Sequence, residues 1–307
     1  MRALQFSQYG PAGLLHVAEV AEPHAGPGQI RVAVRASGVT PSDAGLRAGR
    51  FGELVPLPHV PGVDAAGVVD EVGDGVTDVQ PGDEVFGMVD LARLGGANAE
   101  YAVLAAWARK PSTLSWEQAG GAAANVETAT RSLDLLGVRD GTTLLVAGAA
   151  GGVGTMTVQL AVARGARVIG TAGPATQDFL AGLGATPIVY GEGLVDRAAE
   201  FGVDVVLHCA GPVPDLVTIA GSPDRVLTIA DMSAADEHGV RVSHTFGPGA
   251  HPSAFHGLAA AAALAEEGVL TVPLAGVFPL SAGTAAHELS ETGHAHGKIV
   301  LTNAEAL

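Results

Sequence analysis

The 307-residue chain has one cysteine, Cys209, and two lysines, Lys110 and Lys298. A single cysteine excludes an intrachain disulfide and a cysteine-rich zinc site. It is in keeping with a reducing, cytoplasmic setting. Basic residues are scarce altogether: 32 Asp and Glu stand against 16 Lys and Arg, a formal charge of -16. No basic run is present to track a phosphate backbone, which excludes nucleic acid and an anionic membrane surface as expected partners. The charge reads instead as a solvated, mutually repulsive surface. No apolar stretch reaches the length of a membrane span. The opening residues MRALQFSQYG carry no apolar signal core.

What the sequence does have is apolar content, 48% of residues, on a chain long enough for two domains. The first third reads as short strands broken by turns. Residues 29–36 alternate, with Ile30, Val32 and Val34 on one face. Further strands are expected at 65–72 and 83–88, punctuated by Pro27-Gly28, Pro61-Gly62 and Pro81-Gly82. Near Pro111 the pattern changes. Ser115 and Gln118 form a capping-box signature ahead of an alanine-rich helix. Strands at 142–147, 167–171, 203–209 and 225–230 then alternate with helices at 154–165 and 179–183. Alternation of this kind predicts an α/β fold with a doubly wound parallel sheet. A long helix over 252–268, a strand-like stretch over 270–278, a helix over 282–292 and a final strand over 298–302 close the chain. The last strand is expected to return to the first domain. The expected division is 1–114, 115–246 and 247–307.

The strand at 142–147 runs straight into Gly148-Ala149-Ala150-Gly151-Gly152-Val153-Gly154 and then into a helix. Glycines there let the backbone turn sharply and let a pyrophosphate approach the free N–H groups and positive dipole end of the helix. The spacing is that of a dinucleotide-binding loop, Ala149-x-Gly151-x-x-Gly154, with alanine in place of the first glycine. The next strand ends Ile169-Gly170-Thr171-Ala172-Gly173, without the acid that would hold a ribose 2′-hydroxyl. No carboxylate there repels a 2′-phosphate. No Arg or Lys follows within 171–180 to pair with one. On this charge logic NADPH is favoured over NADH.

The same residues resemble the medium-chain dehydrogenase/reductase superfamily, and within it the zinc-free quinone-oxidoreductase branch. The resemblance runs through Met1-Arg2-Ala3, ASGVTPSD (36–43), Pro61-Gly62-Val63-Asp64, Val79-Gln80-Pro81-Gly82-Asp83, AGAAGGVG (147–154), Leu183-Gly184-Ala185, Val277-Phe278-Pro279-Leu280 and Gly297-Lys298-Ile299-Val300-Leu301. It implies a GroES-like β-rich domain split around a Rossmann domain. It also implies a homodimer, for which 240–244 is a candidate edge strand. Zinc-dependent relatives carry Cys near Thr40, Gly-His-Glu where this chain has Gly62-Val63-Asp64, and a four-cysteine lobe; those ligands are missing here, so no metal is expected. By resemblance the cofactor site comprises Thr128, the loop Ala149, Ala150, Gly151, Gly152, Val153 and Gly154, then Thr171 and Gly173 at the adenosine ribose, Tyr190 at the 2′-phosphate end, and Ala210 and Gly211 beside the nicotinamide. Thr40, Phe51 and Val63 are substrate-pocket candidates. The branch usually has Asn at Thr40, and a lysine where this chain has Thr176-Gln177. Phe51 stands where enoyl-reducing relatives often have tyrosine.

A chain that binds a nicotinamide and lacks a zinc Lewis acid is better suited to an acceptor that itself delocalises incoming charge. The expected function is NADPH-dependent, zinc-independent hydride transfer to a small molecule, a quinone or an α,β-unsaturated carbonyl. Alternatives are an enoyl-thioester or natural-product double-bond reductase, and a non-catalytic NADPH-binding sensor. Asp43 and Asp64 are expected to cap backbone N–H groups; no catalytic acid is assigned.

Overall fold

The computed structural model describes residues 1–303. Contacts divide the chain into two units, one of Met1–Ala124 together with the chain from Phe255 onward, the other of Asn125–Ala254. The divisions fall later than the 114/115 and 246/247 expected from composition. The reason at the first is local. The short helix opened by the Ser115 capping box packs on the strands of the first unit, so the composition change at Pro111 precedes the change of core.

The first unit begins with the hairpin β1 (Arg2–Gln5) and β2 (His16–Glu19). Then come β3 (Ile30–Val39), α1 (Pro41–Arg47), β4 (Asp64–Val72), β5 (Glu84–Val89), β6 (Tyr101–Arg109) and α2 (Trp116–Gly120). Strands β3 to β6 pair antiparallel in sequence, and β3 pairs with β6 as well. That extra pairing closes the four strands into a small barrel and removes their open edges. Burial along β3 alternates as its sequence does: Ile30, Val32 and Val34 point into a core shared with Val69, Val85 and Leu104.

The second unit starts in α3 (Ala123–Leu135) and continues through β7 (Thr143–Ala147), α4 (Gly152–Ala163), β8 (Arg167–Ala172), α5 (Gln177–Gly182), β9 (Thr186–Val189), α6 (Leu194–Ala199), β10 (Val205–His208), α7 (Val213–Ala220), β11 (Val226–Thr228), α8 (Ala234–His238) and β12 (Arg241–Val242). All six strands are parallel, in the order β12-β11-β10-β7-β8-β9. This is the doubly wound order, and it reverses between β7 and β10. Every residue of β7 is buried, as a strand covered on both faces must be. The expected edge strand at 240–244 is the two-residue β12 at one end of the sheet.

The chain closes with α9 (His256–Glu266), β13 (Leu274–Pro279), α10 (Gly283–Glu291) and β14 (Lys298–Thr302). As expected, β14 returns to the first unit, antiparallel to β3. The helix expected over 252–268 is shorter at its start. It runs over His256–Glu266, and ahead of it the Ala254 N–H is taken by the Glu127 carboxylate at 3.1 Å. No helix among the described residues is long and apolar enough to cross a membrane.

Beneath α1 and α10 lies a buried polar cluster. Arg47 is fully buried and pairs with Glu291 and with the Gly10 carbonyl. Next to it His287 is also fully buried, and neither ring nitrogen has a hydrogen-bond partner. Burial and the neighbouring Arg47 charge push its imidazole down to about 4, against the pull of Glu291.

Two stability outcomes follow from this cluster. Glu291→Ala leaves a buried guanidinium with half its pairing. It should cost about 2 kcal/mol, below the range for a fully enclosed pair because Glu291 keeps solvent contact; adding Arg47→Met should recover most of that in urea unfolding. His287 is held neutral in the folded chain and gains a proton more readily once unfolded. Its contribution is therefore complete above the unfolded value near 6.5 and is lost as pH falls toward about 4. The loss should approach about 3 kcal/mol, and His287→Leu should flatten that part of the pH profile.

Candidate functional site

The second unit's site is built at the carboxyl ends of β7, β8 and β10, beside the point where strand order reverses. Gly148 leaves β7 with φ of 81°, a left-handed conformation that favours glycine. Its N–H donates to Thr171 Oγ1 at 3.0 Å, and the Ala149 N–H donates to the Thr171 carbonyl at 3.1 Å. The loop after β7 is thus stitched to the end of β8. A Cβ on Gly148 would stand 2.9 Å from the Ala210 methyl, which brings the loop after β10 to the same place.

Helix α4 starts at Gly152, two residues before the start expected from sequence, because Gly151 serves as its N-cap. Gly151 has no side chain to accept from the first turn, and no side-chain cap is made. No N-cap side chain therefore satisfies the first N–H groups of this helix. The three glycines have different reasons. A Cβ on Gly154 would run into the Gly148 carbonyl oxygen and stand 2.7 Å from Ala149 Cα, so the fold itself demands glycine there. A Cβ on Gly152 would meet the Asn125 amide at 2.9 Å. A Cβ on Gly151 would meet only the Gly148 carbonyl, at an ordinary 3.5 Å, and its φ of -77° suits any residue. Nothing inside the protein requires glycine at 151. The space beside Gly151 is open, and backbone N–H groups at a helix start are suited to an anion such as a pyrophosphate.

The remaining residues singled out from sequence fall around this loop in part. Gly173 and Tyr190 come together: a Cβ on Gly173 would lie 3.5 Å from the Tyr190 hydroxyl, and Tyr190 is exposed. Gln177 bonds back to the Ala172 and Gly173 carbonyls at 2.9 and 3.2 Å, which holds that turn with an uncharged amide. Thr128 lies one turn along α3 from Asn125, and its hydroxyl donates to Glu127 at 3.2 Å. Glu127 in turn pairs with Arg131 at 2.8 Å, both buried. Ala210 and Gly211 are exposed at the end of β10. Desolvation pushes the Cys209 thiol up to about 12, so it is no thiolate nucleophile.

Sequence reasoning passed over three residues of this site: Asn125, His208 and Thr228. His208 ends β10 and is buried, its Nδ1 2.8 Å from Thr228 Oγ1 and its Nε2 2.9 Å from the Gly211 carbonyl. A polar residue closing an otherwise apolar strand was the available signal.

In the first unit, Asp43 organises the substrate-pocket candidates. Its Oδ2 accepts from the Thr40 N–H at 2.7 Å and the Thr40 hydroxyl at 2.6 Å, and its Oδ1 accepts from the Gly62 N–H at 3.1 Å. Thr40 is thereby the N-cap of α1, with its hydroxyl engaged. Phe51 packs against Gly45 of the same helix, where a Cβ would come within 2.7 Å of its ring; about two-fifths of it is exposed. Val63 follows the clamped Gly62 and is half-buried against the barrel core. Asp64 is fully buried. Its Oδ2 accepts from the Ala124 N–H at 3.1 Å and from Lys298 Nζ at 3.3 Å. Burial raises its carboxyl above the usual range, and Lys298 opposes the rise. Both acids thus cap backbone N–H groups. Among the described residues no group of three or more His, Cys, Asp or Glu is gathered as a metal would need.

Comparison with known proteins agrees with this architecture. Residues 26–125 match the alcohol dehydrogenase GroES-like domain, and residues 183–301 match the zinc-binding dehydrogenase domain. The chain is 30% identical to the quinone oxidoreductase of Sus scrofa over 98% of its own length and 97% of that protein. It is 31% identical to the chloroplastic NADPH-dependent alkenal/one oxidoreductase of Arabidopsis thaliana over 98% of its own length and 79% of that protein. Other curated relatives are matched over about half their length. The solved quinone oxidoreductase from Coxiella burnetii superposes with a TM-score of 0.84 at 29% identity, covering 98% of this chain and 99% of that one. The chain belongs to the medium-chain dehydrogenase/reductase family, in its quinone oxidoreductase-like branch.

Proposed function

We propose that this protein is an NADPH-dependent, zinc-independent reductase of quinones or α,β-unsaturated carbonyl compounds. The observation that carries the reading is the open space at Gly151 beside the uncapped start of α4. It is supported by the activities for which its relatives are named, quinone and NADPH-dependent alkenal/one oxidoreductases. In this reading the backbone N–H groups of 149–154 hold the pyrophosphate. Thr171 and Gly173 take the adenosine ribose and Tyr190 its 2′-phosphate end, and Thr128, Ala210 and Gly211 take the nicotinamide side. The missing acid at the end of β8 permits a 2′-phosphate. When bound, the reduced nicotinamide supplies a hydride.

The chain's own contribution is positioning and exclusion of water. Thr40, Phe51 and Val63 form the acceptor side, held in register by the Asp43 clamp between Thr40 and Gly62. Among these three, Phe51 and Val63 have no proton to give, and the Thr40 hydroxyl already donates to Asp43. The proton that completes reduction of the acceptor comes from water. The protein acts as a cytoplasmic homodimer in this reading, with the edge strand β12 as the element available for pairing.

The loop is tested by two glycine variants. Gly151→Ala should leave stability within about 0.5 kcal/mol of the unaltered chain and weaken NADPH binding about tenfold or more, since the added methyl occupies the pyrophosphate's approach. Gly154→Ala should instead cost about 2 kcal/mol of stability, because its methyl meets backbone that cannot give way. Equal NADPH affinity in Gly151→Ala and the unaltered protein would remove the pyrophosphate from this loop.

The reaction is tested by titrating the purified protein with NADPH and NADH, then following cofactor oxidation with a panel of quinones, enones and enoyl thioesters. Tighter binding of NADPH and turnover of a quinone or enone are expected. Turnover confined to thioesters would move the assignment to an enoyl-thioester reductase, and firm binding without any turnover to a sensor.

A further inference from the structure

His208 is a buried polar side chain at the carboxyl end of β10, beside the fully buried Thr228 at the end of β11, and its contacts specify its proton. Thr228 Oγ1 accepts from the Ala230 N–H at 3.2 Å and the Asp231 N–H at 3.1 Å. A hydroxyl oxygen has two acceptor sites, and both are used. Towards His208 Nδ1, 2.8 Å away, Thr228 has only its proton to offer. Nδ1 therefore accepts, and the imidazole proton sits on Nε2, which donates to the Gly211 carbonyl at 2.9 Å. One ring thus links two turns, the one that follows β10 and the one that follows β11. The Ile229 N–H, donating to the His208 carbonyl at 3.1 Å, joins them again through the backbone.

What this link holds is exposed. Ala210, Gly211 and Ala230 all face solvent, immediately beyond the buried His208 and Thr228. Gly211 is left-handed, with φ of 96°, so that its carbonyl turns back to the ring, and Pro212 beyond it has no N–H. In a doubly wound sheet the two halves of a dinucleotide lie on either side of the strand-order reversal. The adenosine half belongs to β7 and β8, and the nicotinamide half to β10 and β11.

We propose that His208 is a positioning residue for the nicotinamide half of the cofactor. As the Nε2–H tautomer it latches the Ala210–Gly211 turn to the Thr228 turn and so shapes the small, flat surface on which that half rests. The proposal rests on the dinucleotide reading of the loop at 149–154. It adds a role that the glycine pattern does not carry, since neither hydrogen bond touches that loop.

Two side chains separate the latch from packing. Asparagine ends where Nδ1 lies and can still accept from Thr228, but it falls short of Gly211. Glutamine reaches the Nε2 position and can donate to Gly211. His208→Asn and His208→Gln are titrated with NADPH and with 2′-phospho-ADP-ribose, the same molecule without nicotinamide. His208→Asn should bind NADPH about tenfold more weakly, the effect of one well-placed hydrogen bond and the order it imposes, with the fragment's affinity changed by less than about twofold. His208→Gln, which keeps the bond that holds the Gly211 turn and gives up the one to Thr228, should recover most of that loss and leave the fragment's affinity within about twofold. Equal weakening of both ligands in His208→Asn, or no weakening of either, overturns the latch and leaves the cofactor site standing. An unaltered protein that binds neither NADPH nor the fragment overturns the cofactor reading and the latch together. Should His208→Asn fail to fold, ¹⁵N resonances of the unaltered protein decide: at pH 7 the ring must be neutral with its proton on Nε2, and an Nδ1–H or doubly protonated ring overturns the proposal.

Discussion

The first turn of α4 rests on bare backbone. Where Gly154 lies against the Gly148 carbonyl and Ala149 Cα there is no room for a methyl group, so helix and loop meet without side chains between them. That approach fixes where the helix starts relative to β7. It brings Gly148 against Ala210 and under the Thr171 hydroxyl, and the ends of three parallel strands are gathered around one helix terminus. A larger residue at 154 would push the helix out and open all these contacts at once.

The two units handle their buried polar groups in different ways. In the second unit the polar residues are chained: Glu127 satisfies Arg131, Thr128 and the Ala254 N–H, and His208 satisfies Thr228 and Gly211. Networks with their partners in place rigidify the loops they end on. In the first unit, acids tie turns to helices. Asp43 spans Thr40 and Gly62, and Asp64 reaches the first turn of α3. Asp64 Oδ1 and both nitrogens of His287 are left without partners. Acid acts on the two in opposite senses: protonation relieves the raised Asp64 carboxyl, whereas it forces a charge onto the buried His287 ring, so His287 is where acid weakens the first unit.

Much of this was legible in the sequence because it is local. Strict alternation at Ile30, Val32 and Val34, the Ser115–Gln118 box and the closing strand 298–302 all correspond to elements of the structure. The glycine loop was legible for the same reason, as strand, loop and helix follow one another directly. What escaped depends on partners far along the chain. The hairpin β1–β2 and the closure of β3 on β6 leave no periodic trace beyond ordinary strand pattern. The segment ahead of α9 is tied to Glu127, more than a hundred residues earlier in the chain. Asn125 and His208 matter through Gly152 and Thr228, neither of which adjoins them in sequence. The Asp43 clamp lies between these cases: its capping box is local, while its second oxygen reaches Gly62.

The return of β14 to β3 bears on how the chain comes off the ribosome. All of the second unit lies between Ala124 and Phe255, so it is complete in sequence while β13, α10 and β14 are still unmade. Domains generally fold as units during synthesis. The parallel sheet can therefore close while the barrel unit waits with the last four residues of β3, 36–39, unpaired where β14 will lie and the apolar residues Leu4, Phe6 and Val39 lacking Ile299 and Leu301 to pack against. The nascent protein passes through an interval in which one half is native and the other presents an unpaired strand end, and that interval is when chaperone contact would matter most.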